Sequence, residues 1–332
     1  MTKADIFLYS HTITTPKFSK KRRHSLLSLL HFIKSKPLVG LDIHADEVRL
    51  LQLKRVKNSI KVEKQAVCEL PAGVIVDGKI KQMSSVITAI QELVRETQTQ
   101  GCPAAIALPS QCVISQRIRL ASILQDVECE IEISTRLSHY LPGVNDSLCF
   151  DFAIQGQLDA EHNDVLLIAA RDEQVNSYVD VVNHSGLIVK IVEVDSHALM
   201  RAAKFFIPRA FFQQTIAVLD IGQTVALLVV YQDGHIVLNQ QFSILKNNMQ
   251  LESQLKKILK LYFFDDQKIA LNFFLAGCDD ILLTAVADYL RKEFSTAVDI
   301  LDPSQVWPFK KAASRMMVSF GLALRGLPVC KI

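Results

Sequence analysis

Two aspartates hold matching positions in two similar stretches: Asp42 in VGLDIHADEVRLLQL and Asp220 in AVLDIGQTVALLVVY, 178 residues apart. Each stretch reads as an apolar strand, Leu-Asp-Ile, a three-residue turn and a second apolar strand. Small turn residues let backbone N–H groups approach a phosphate. The turn Asp220-Ile221-Gly222-Gln223-Thr224 has that make-up, with Gly222 permitting close approach and the Thr224 hydroxyl free to donate. In the first turn His44 stands at the glycine's place and Asp46 at the hydroxyl's, followed by Glu47. Acids there would face the negative charge of a phosphate; a like-charge pair ~4 Å apart costs about 4 kcal/mol at an effective dielectric of ~20. The plainer reading of the second turn is an ordinary β-turn carrying a buried aspartate.

Other chemistry is hard to find. There is no GxxxxGK phosphate loop, HExxH or GxSxG motif, and the scattered Ser, His and Asp residues form no recognisable triad. Seven cysteines are dispersed without a CxxC pair and nine histidines show no ligand spacing, which suits reduced thiols and disfavours disulfides or a zinc site. No window holds the roughly 18 apolar residues of a membrane span, and the opening MTKADIF lacks the make-up of a secretory signal. A cytoplasmic protein is expected.

The elements that would position these residues are those of a folded α/β protein: 332 residues, 49% hydrophobic, 21% charged. The net charge of +3 conceals an asymmetry, because residues 1–36 carry eight Lys or Arg against Asp5 alone, leaving 29 basic and 33 acidic residues in the body. Within that arm Leu26, Leu29, Leu30 and Ile33 fall at helical spacing beside the cluster KKRRH, the pattern of an interfacial helix on an anionic surface or in a partner's groove. A helix packed on its own domain is the plainer alternative.

From Val39 the chain reads as three strands (LVGLDI, VRLLQL, IKVEKQAVCEL), a turn-rich connection, a helix from Met83 to Gln98, and strands AAIALP and VISQRIRL about Pro109-Ser110. LQDVECEIEISTRLSHYLP reads as one acidic helix ending near Pro142, and LCFDFAI as a strand. DVLLIAA, the helix DEQVNSYVDVVNHSG closed by Gly186, and LIVKIVEVD have the spacing of a βαβ unit, which predicts a parallel pair. A helix capped by Ser196 follows, then three antiparallel strands turning at Gly222 and Asp233-Gly234. Helices near 251–261, 281–294 and 316–325 alternate with IALNFFLAG and TAVDILDP to the end. Two similar subdomains facing each other across a cleft explain the repeat most simply.

The ordered succession of VGLDIHADEVRLLQL, LPAGVIVDGKI, AAIALPSQCVISQRIRL, EIEISTRLSHYLPG, DVLLIAARDEQVNSYVDVVNHSGLIVKIVEVDSHALMRA, VLDIGQT and GLALRG resembles the PilM family of type IV pilus assembly, FtsA-like members of the actin-like ATPase superfamily, over residues 38–327. The resemblance implies an α/β, actin-like (ribonuclease H-like) two-lobed fold with subdomains 1A, 1C, 2A and 2B. It sets the basic arm at 1–37, subdomain 1A at 38–80 and 156–212, 1C at 81–155, and 2A/2B at 213–332 with a last helix returning to 1A. It also implies a scaffold that binds the N-terminal cytoplasmic tail of the bitopic protein PilN in a groove between 1A and 1C. Such a scaffold would link the alignment complex to the pilus motor ATPase and platform protein, peripheral on the cytoplasmic face of the inner membrane. The anionic membrane surface is a further contact for the arm, and nucleic acid is not expected on an acidic body without an aromatic platform.

The same resemblance makes the two Leu-Asp-Ile turns phosphate loops for ATP and Mg²⁺. Asp42, Asp195, Asp220, Gly222, Gln223, Thr224 and Gly277 are the implied cofactor-binding residues, with Asp42 and Asp220 holding Mg²⁺ through water. The family's glycine cluster survives only as Gly277 in FFLAGCDDIL, where Asp279-Asp280 can cap a helix, and its glycine pair near FSILKNNMQ is absent. The nucleotide site therefore reads as partly degenerate. A non-catalytic adaptor leads, an ATPase whose cycle switches partner binding is the alternative, and a GspL-like adaptor of type II secretion, normally continued by a membrane helix, is the third.

Overall fold

A computed structural model describes residues 37–57, 59–141, 147–244, 248–263, 271–277, 280–301, 303 and 314–327. The basic arm, the Pro142 end of the acidic segment, residues 245–247, and Cys278 with Asp279 lie outside the described residues.

The chain starts as an antiparallel meander of β1 (Val39–Ile43), β2 (Glu47–Val56) and β3 (Ser59–Glu69). β1 is buried along its whole length, whereas β3 alternates towards solvent, as a central and an edge strand should. A short hairpin of β4 (Ile75–Val76) and β5 (Lys79–Ile80) leads to α1 (Met83–Thr97), whose stripe of Val86, Ile90, Leu93 and Val94 is buried. β6 (Pro103–Leu108) then runs parallel to β1.

Next comes a separate antiparallel sheet of order β7-β9-β8, formed by β7 (Val113–Ala121), β8 (Leu148–Gln157) and β9 (His162–Arg171). α2 (Asp126–Thr135) and α3 (Leu137–Tyr140) lie between β7 and β8 in sequence. The single acidic helix read from the sequence is thus broken at Arg136, whose backbone leaves helical geometry at φ −111°, ψ 19°. α4 (Asp172–His184) closes at Gly186, where φ is +93° and glycine meets no Cβ penalty.

β10 (Ile188–Val194) does not pair with β9. It lies parallel to β6 in the first sheet, while β9 belongs to the three-stranded one, so the expected βαβ pair joins two sheets. Strand spacing alone cannot tell a crossover within one sheet from a return to another. The same pairing shifts a boundary: α1 and β6 attach to the first sheet, and the small sheet spans Val113 to Arg171, where the sequence reading drew 81–155. α5 (Asp195–Phe206) begins one residue before the expected Ser196 cap, and Ser196 has no side-chain capping bond; its backbone N–H is bound by the Asp195 carboxylate.

The second half repeats the first. β11 (Thr215–Ile221), β12 (Val225–Gln232) and β13 (His235–Ser243) form a meander, with Asp233 and Gly234 both at positive φ in its two-residue turn. After α6 (Asn248–Phe263), β14 (Leu271–Gly277) runs parallel to β11; α7 (Asp280–Phe294), β15 (Val298–Ile300) and α8 (Met317–Leu324) complete the chain. The sheet orders β10-β6-β1-β2-β3 and β13-β12-β11-β14-β15 are the same arrangement read in opposite directions.

Helices and sheets alternate in layers. Ala104, Ile106 and Leu108 of β6 pack with α1 and α4, while Ala105 and Ala107 on its other face pack with α5 and α8. Ile216 and Val218 of β11 join that central layer, and Ala217, Leu219 and Ile221 turn to α6 and α7. α5 and α8 are therefore sandwiched between the sheets, and the carboxyl ends of β1 and β11 meet at one edge of the sandwich.

Candidate functional site

The two repeat turns face each other across the lobes, and their equivalent residues touch. The Asp46 carboxylate accepts hydrogen bonds from the Thr224 backbone N–H (3.1 Å) and hydroxyl (3.2 Å). Its other oxygen lies 2.6 Å from His44 Nδ1. The His44 ring covers Gly222 so closely that a Cβ there would sit 2.6 Å from His44 Cε1. Glycine is required at this turn both by the Val225 carbonyl of its own hairpin, 2.8 Å from such a Cβ, and by the His44 ring of the other lobe.

Behind the turns lies an ion cluster that the sequence reading did not foresee. Arg49 of β2 stands opposite Asp42 of β1, and its equivalent Leu227 stands opposite Asp220. Only 1% exposed, Arg49 donates through Nε to Glu47 (2.6 Å) and through Nη1 to Asp42 (3.3 Å), with Asp220 Oδ2 at 4.0 Å from Nη1. Arg315, from the segment before α8, approaches the second Glu47 oxygen at 3.3 Å. A guanidinium cannot be deprotonated in a protein, and its fork suits several carboxylates at once.

These surroundings set the ionisation. Burial raises the Asp42 carboxyl above its usual range, offset in part by Arg49, and raises Asp220 to about 6. Burial would raise Asp46 too, but the His44 bond, the His44 and Arg49 charges and the Thr224 bonds outweigh it and hold the group at about 2. For His44 burial acts downward, with Arg49 adding to it, and the Asp46 bond together with the Asp46 and Asp42 charges gives a net rise. The pair therefore favours His44⁺ with Asp46⁻. Asp195, the first residue of α5, accepts from the Ser110 N–H (3.0 Å) and hydroxyl and from the Ser196 N–H (2.6 Å); burial lifts it to about 7.

The sequence-derived residues thus divide. Asp42 and Asp220 are brought together through Arg49, and Gly222 and Thr224 meet the first turn. Asp195 lines the small cavity bordered by Asp42, His44, Tyr178 and Gln241. Gln223 is exposed at the turn, and Gly277 is fixed by packing: a Cβ there would lie 2.5 Å from the Ile221 carbonyl. Glu47, expected to confront a phosphate, is buried against Arg49. A signal for Arg49 and Glu47 existed, since charged residues inside the apolar run EVRLLQL must find partners when buried; Arg315 carried no comparable signal.

This arrangement does not fit a nucleotide with Mg²⁺. The position between Asp42 and Asp220 is filled by a cation of the chain itself, and the Thr224 donors are bound to a carboxylate. The cavity left beside Asp42 measures about 20 Å³, room for one water, whereas small-molecule sites occupy roughly 300–1,000 Å³. Among the described residues no cluster of His, Cys, Asp and Glu is placed to hold a metal ion.

A larger groove opens elsewhere. About 720 Å³ in volume, it runs between edge strand β7 (Ser115, Gln116, Arg117), α5 (Met200, Lys204) and the β12–β13 hairpin. Lys204 Nζ sits 4.2 Å from the Tyr231 ring centre at its wall.

Comparison with known proteins agrees with the duplicated architecture. A subunit of a PilM–PilN type IV pilus biogenesis complex superposes with a TM-score of 0.74 at 18% identity, covering 89% of this chain and 100% of that one. The ethanolamine utilization protein EutJ of Carboxydothermus hydrogenoformans gives 0.51 at 14% identity, covering 86% and 88%. MreB5 of Spiroplasma citri, solved with ADP bound, gives 0.40 at 11% identity, covering 86% and 95%. At these identities the likeness to the first two establishes the fold, the two-lobed actin-like one that the family resemblance implies. The sequence model for the type IV pilus assembly protein PilM matches residues 40–244, more than half of the chain and including both facing turns. With that match over this fold, the chain belongs to the PilM family of type IV pilus assembly proteins.

Proposed function

We propose that this chain is a cytoplasmic adaptor of pilus assembly that captures the N-terminal cytoplasmic tail of a PilN-type membrane protein. The observation that carries the reading is the groove between β7, α5 and the β12–β13 hairpin. Strand β7 is the edge of its sheet among the described strands, so an extended peptide can add main-chain hydrogen bonds there. Leu166, Met200, Tyr231 and Ile236 offer apolar surface for alternate side chains along the same groove. The groove opens between the small sheet, α5 of the first lobe and the β12–β13 hairpin of the second, so it borders the 1A/1C junction implied by the family and also takes a wall from the second lobe. PilN is the partner in the pilus complex whose fold this chain resembles.

An adaptor seated on such a tail lies peripherally on the inner membrane and can couple the alignment complex to the motor ATPase and platform protein. Among the described residues no helix is long and apolar enough to cross a membrane, so attachment through a bitopic partner suits them. Calorimetric titration of the full chain with a synthetic peptide of the cognate tail should give saturable binding. Val237→Glu, at a half-exposed position on the groove wall, should weaken it about tenfold or more by placing a charge in the apolar contact. No binding of the peptide to the wild-type chain would retire the adaptor reading.

A further inference from the structure

We propose that the interlobe cleft is a ligand-free clasp, with Arg49 standing between Asp42 and Asp220 in the place of a divalent cation, and Asp46 standing on Thr224 in the place of a phosphate.

Three independent observations converge on this. A permanent cation bridges the paired aspartates: Arg49 is hydrogen-bonded to Asp42 and Glu47 and within 4.0 Å of Asp220, so it joins β1 and β2 of one lobe to β11 of the other. The turn that resembles a phosphate loop spends its donors on a carboxylate of the opposite lobe, at 3.1 and 3.2 Å. Asp46 and Thr224 are equivalent residues of the two copies, 178 positions apart, so the contact lies on the pseudo-two-fold relation between the lobes. The remaining space, about 20 Å³, is too small for even one phosphoryl group with its ribose. What a nucleotide does elsewhere in such a fold, bridging two lobes by binding the loops of both, is done here by side chains that never dissociate. Closure is then permanent, and partner binding is independent of any nucleotide cycle. The inference concerns the cleft alone and stands whichever partner occupies the groove.

Thermal unfolding and amide hydrogen exchange of the full chain test it. The wild-type protein should show no shift in melting temperature with millimolar Mg-ATP or with Mg²⁺ alone. Asp46→Ser, which keeps a small hydroxyl at the rim, should accelerate exchange of the Thr224 amide roughly tenfold or more, the effect of losing a charge-assisted hydrogen bond. Arg49→Met should melt lower and regain part of the loss with Mg²⁺ or Mn²⁺, which can enter among the carboxylates left without their cation; Arg49→Lys should gain no such response. Should Arg49→Met fail to fold, the Asp46→Ser exchange rate and the wild-type nucleotide titration still decide. A wild-type shift with Mg-ATP that Asp220→Ala abolishes overturns the clasp, as does unchanged Thr224 exchange in Asp46→Ser.

Discussion

Arg49 and Leu227 occupy the same station of the two repeats, and the difference between them determines what the cleft contains. A leucine there leaves Asp220 needing an outside cation, whereas an arginine supplies one. Burying this ion cluster carries a desolvation cost, so it is tolerated only because Asp42, Glu47 and Asp220 surround the guanidinium. Asp195 gives a separate residue-scale prediction. Burial lifts its carboxyl to about 7, against 3.8 for the unperturbed group. Between those values the folded chain holds a proton that the unfolded chain has released. The associated stability is complete below about pH 4 and is lost as pH rises through 7. Asp195→Asn, which still accepts from Ser110 and Ser196, should flatten that slope by on the order of 2–4 kcal/mol in denaturant titrations from pH 4 to 8. Asp46, held at about 2, acts oppositely: its contribution is present above about pH 4 and disappears as pH falls through 2. An unchanged slope in Asp195→Asn would show that the proton is held elsewhere.

At the scale of elements, α8 is the piece that ties the end of the chain to its beginning. It fits between β1 and α5 because glycines let backbones approach: a Cβ on Gly40 would lie 2.1 Å from the Ser319 carbonyl, and one on Gly321 1.9 Å from the Ala198 carbonyl. Gly321→Val should push α5 and α8 apart and lower stability by about 1–3 kcal/mol or more, read as a fall in urea midpoint. Gly156→Ala in β8, with open space around its Cβ, is the matched control and should be near neutral. Element type was largely legible in the sequence, because buried strands are continuous apolar runs and α1 shows its stripe openly. Partnership was less so. β9 and β10 flank α4 as a βαβ unit would, yet they belong to different sheets, since hydrophobic periodicity reports burial and is silent about which edge a strand joins. The break at Arg136 was similarly hidden, because no Gly or Pro marks it within EIEISTRLSHY.

Across the whole molecule, the duplicated lobes form one layered body around α5 and α8, clasped at the cleft and grooved beside the small sheet. The strongly basic residues 1–36 precede an acidic body, and this asymmetry predicts adhesion to an anionic bilayer. A chain lacking residues 1–36 should keep the melting temperature of the body and co-sediment less with anionic vesicles than the full chain, with the difference shrinking at high salt. Equal co-sedimentation would mean that the arm makes no lipid contact.

The sequence by itself determined the duplication, the paired aspartates, the mismatch of the first turn and the family. The first three are patterns of residue type along a strand–turn–strand unit and its repeat, and the family is a pattern of such stretches in order along the chain, so sequence writes them directly. Tertiary structure alone decided what the mismatch is for. Asp46 and Thr224 are 178 residues apart, and Arg315 reaches Glu47 across a still longer stretch of chain. Charges that looked repulsive to a phosphate become favourable once the opposite lobe supplies the Thr224 donors and Arg49 of the same lobe supplies a buried cation, because the sign of an electrostatic interaction depends on which neighbours folding brings together.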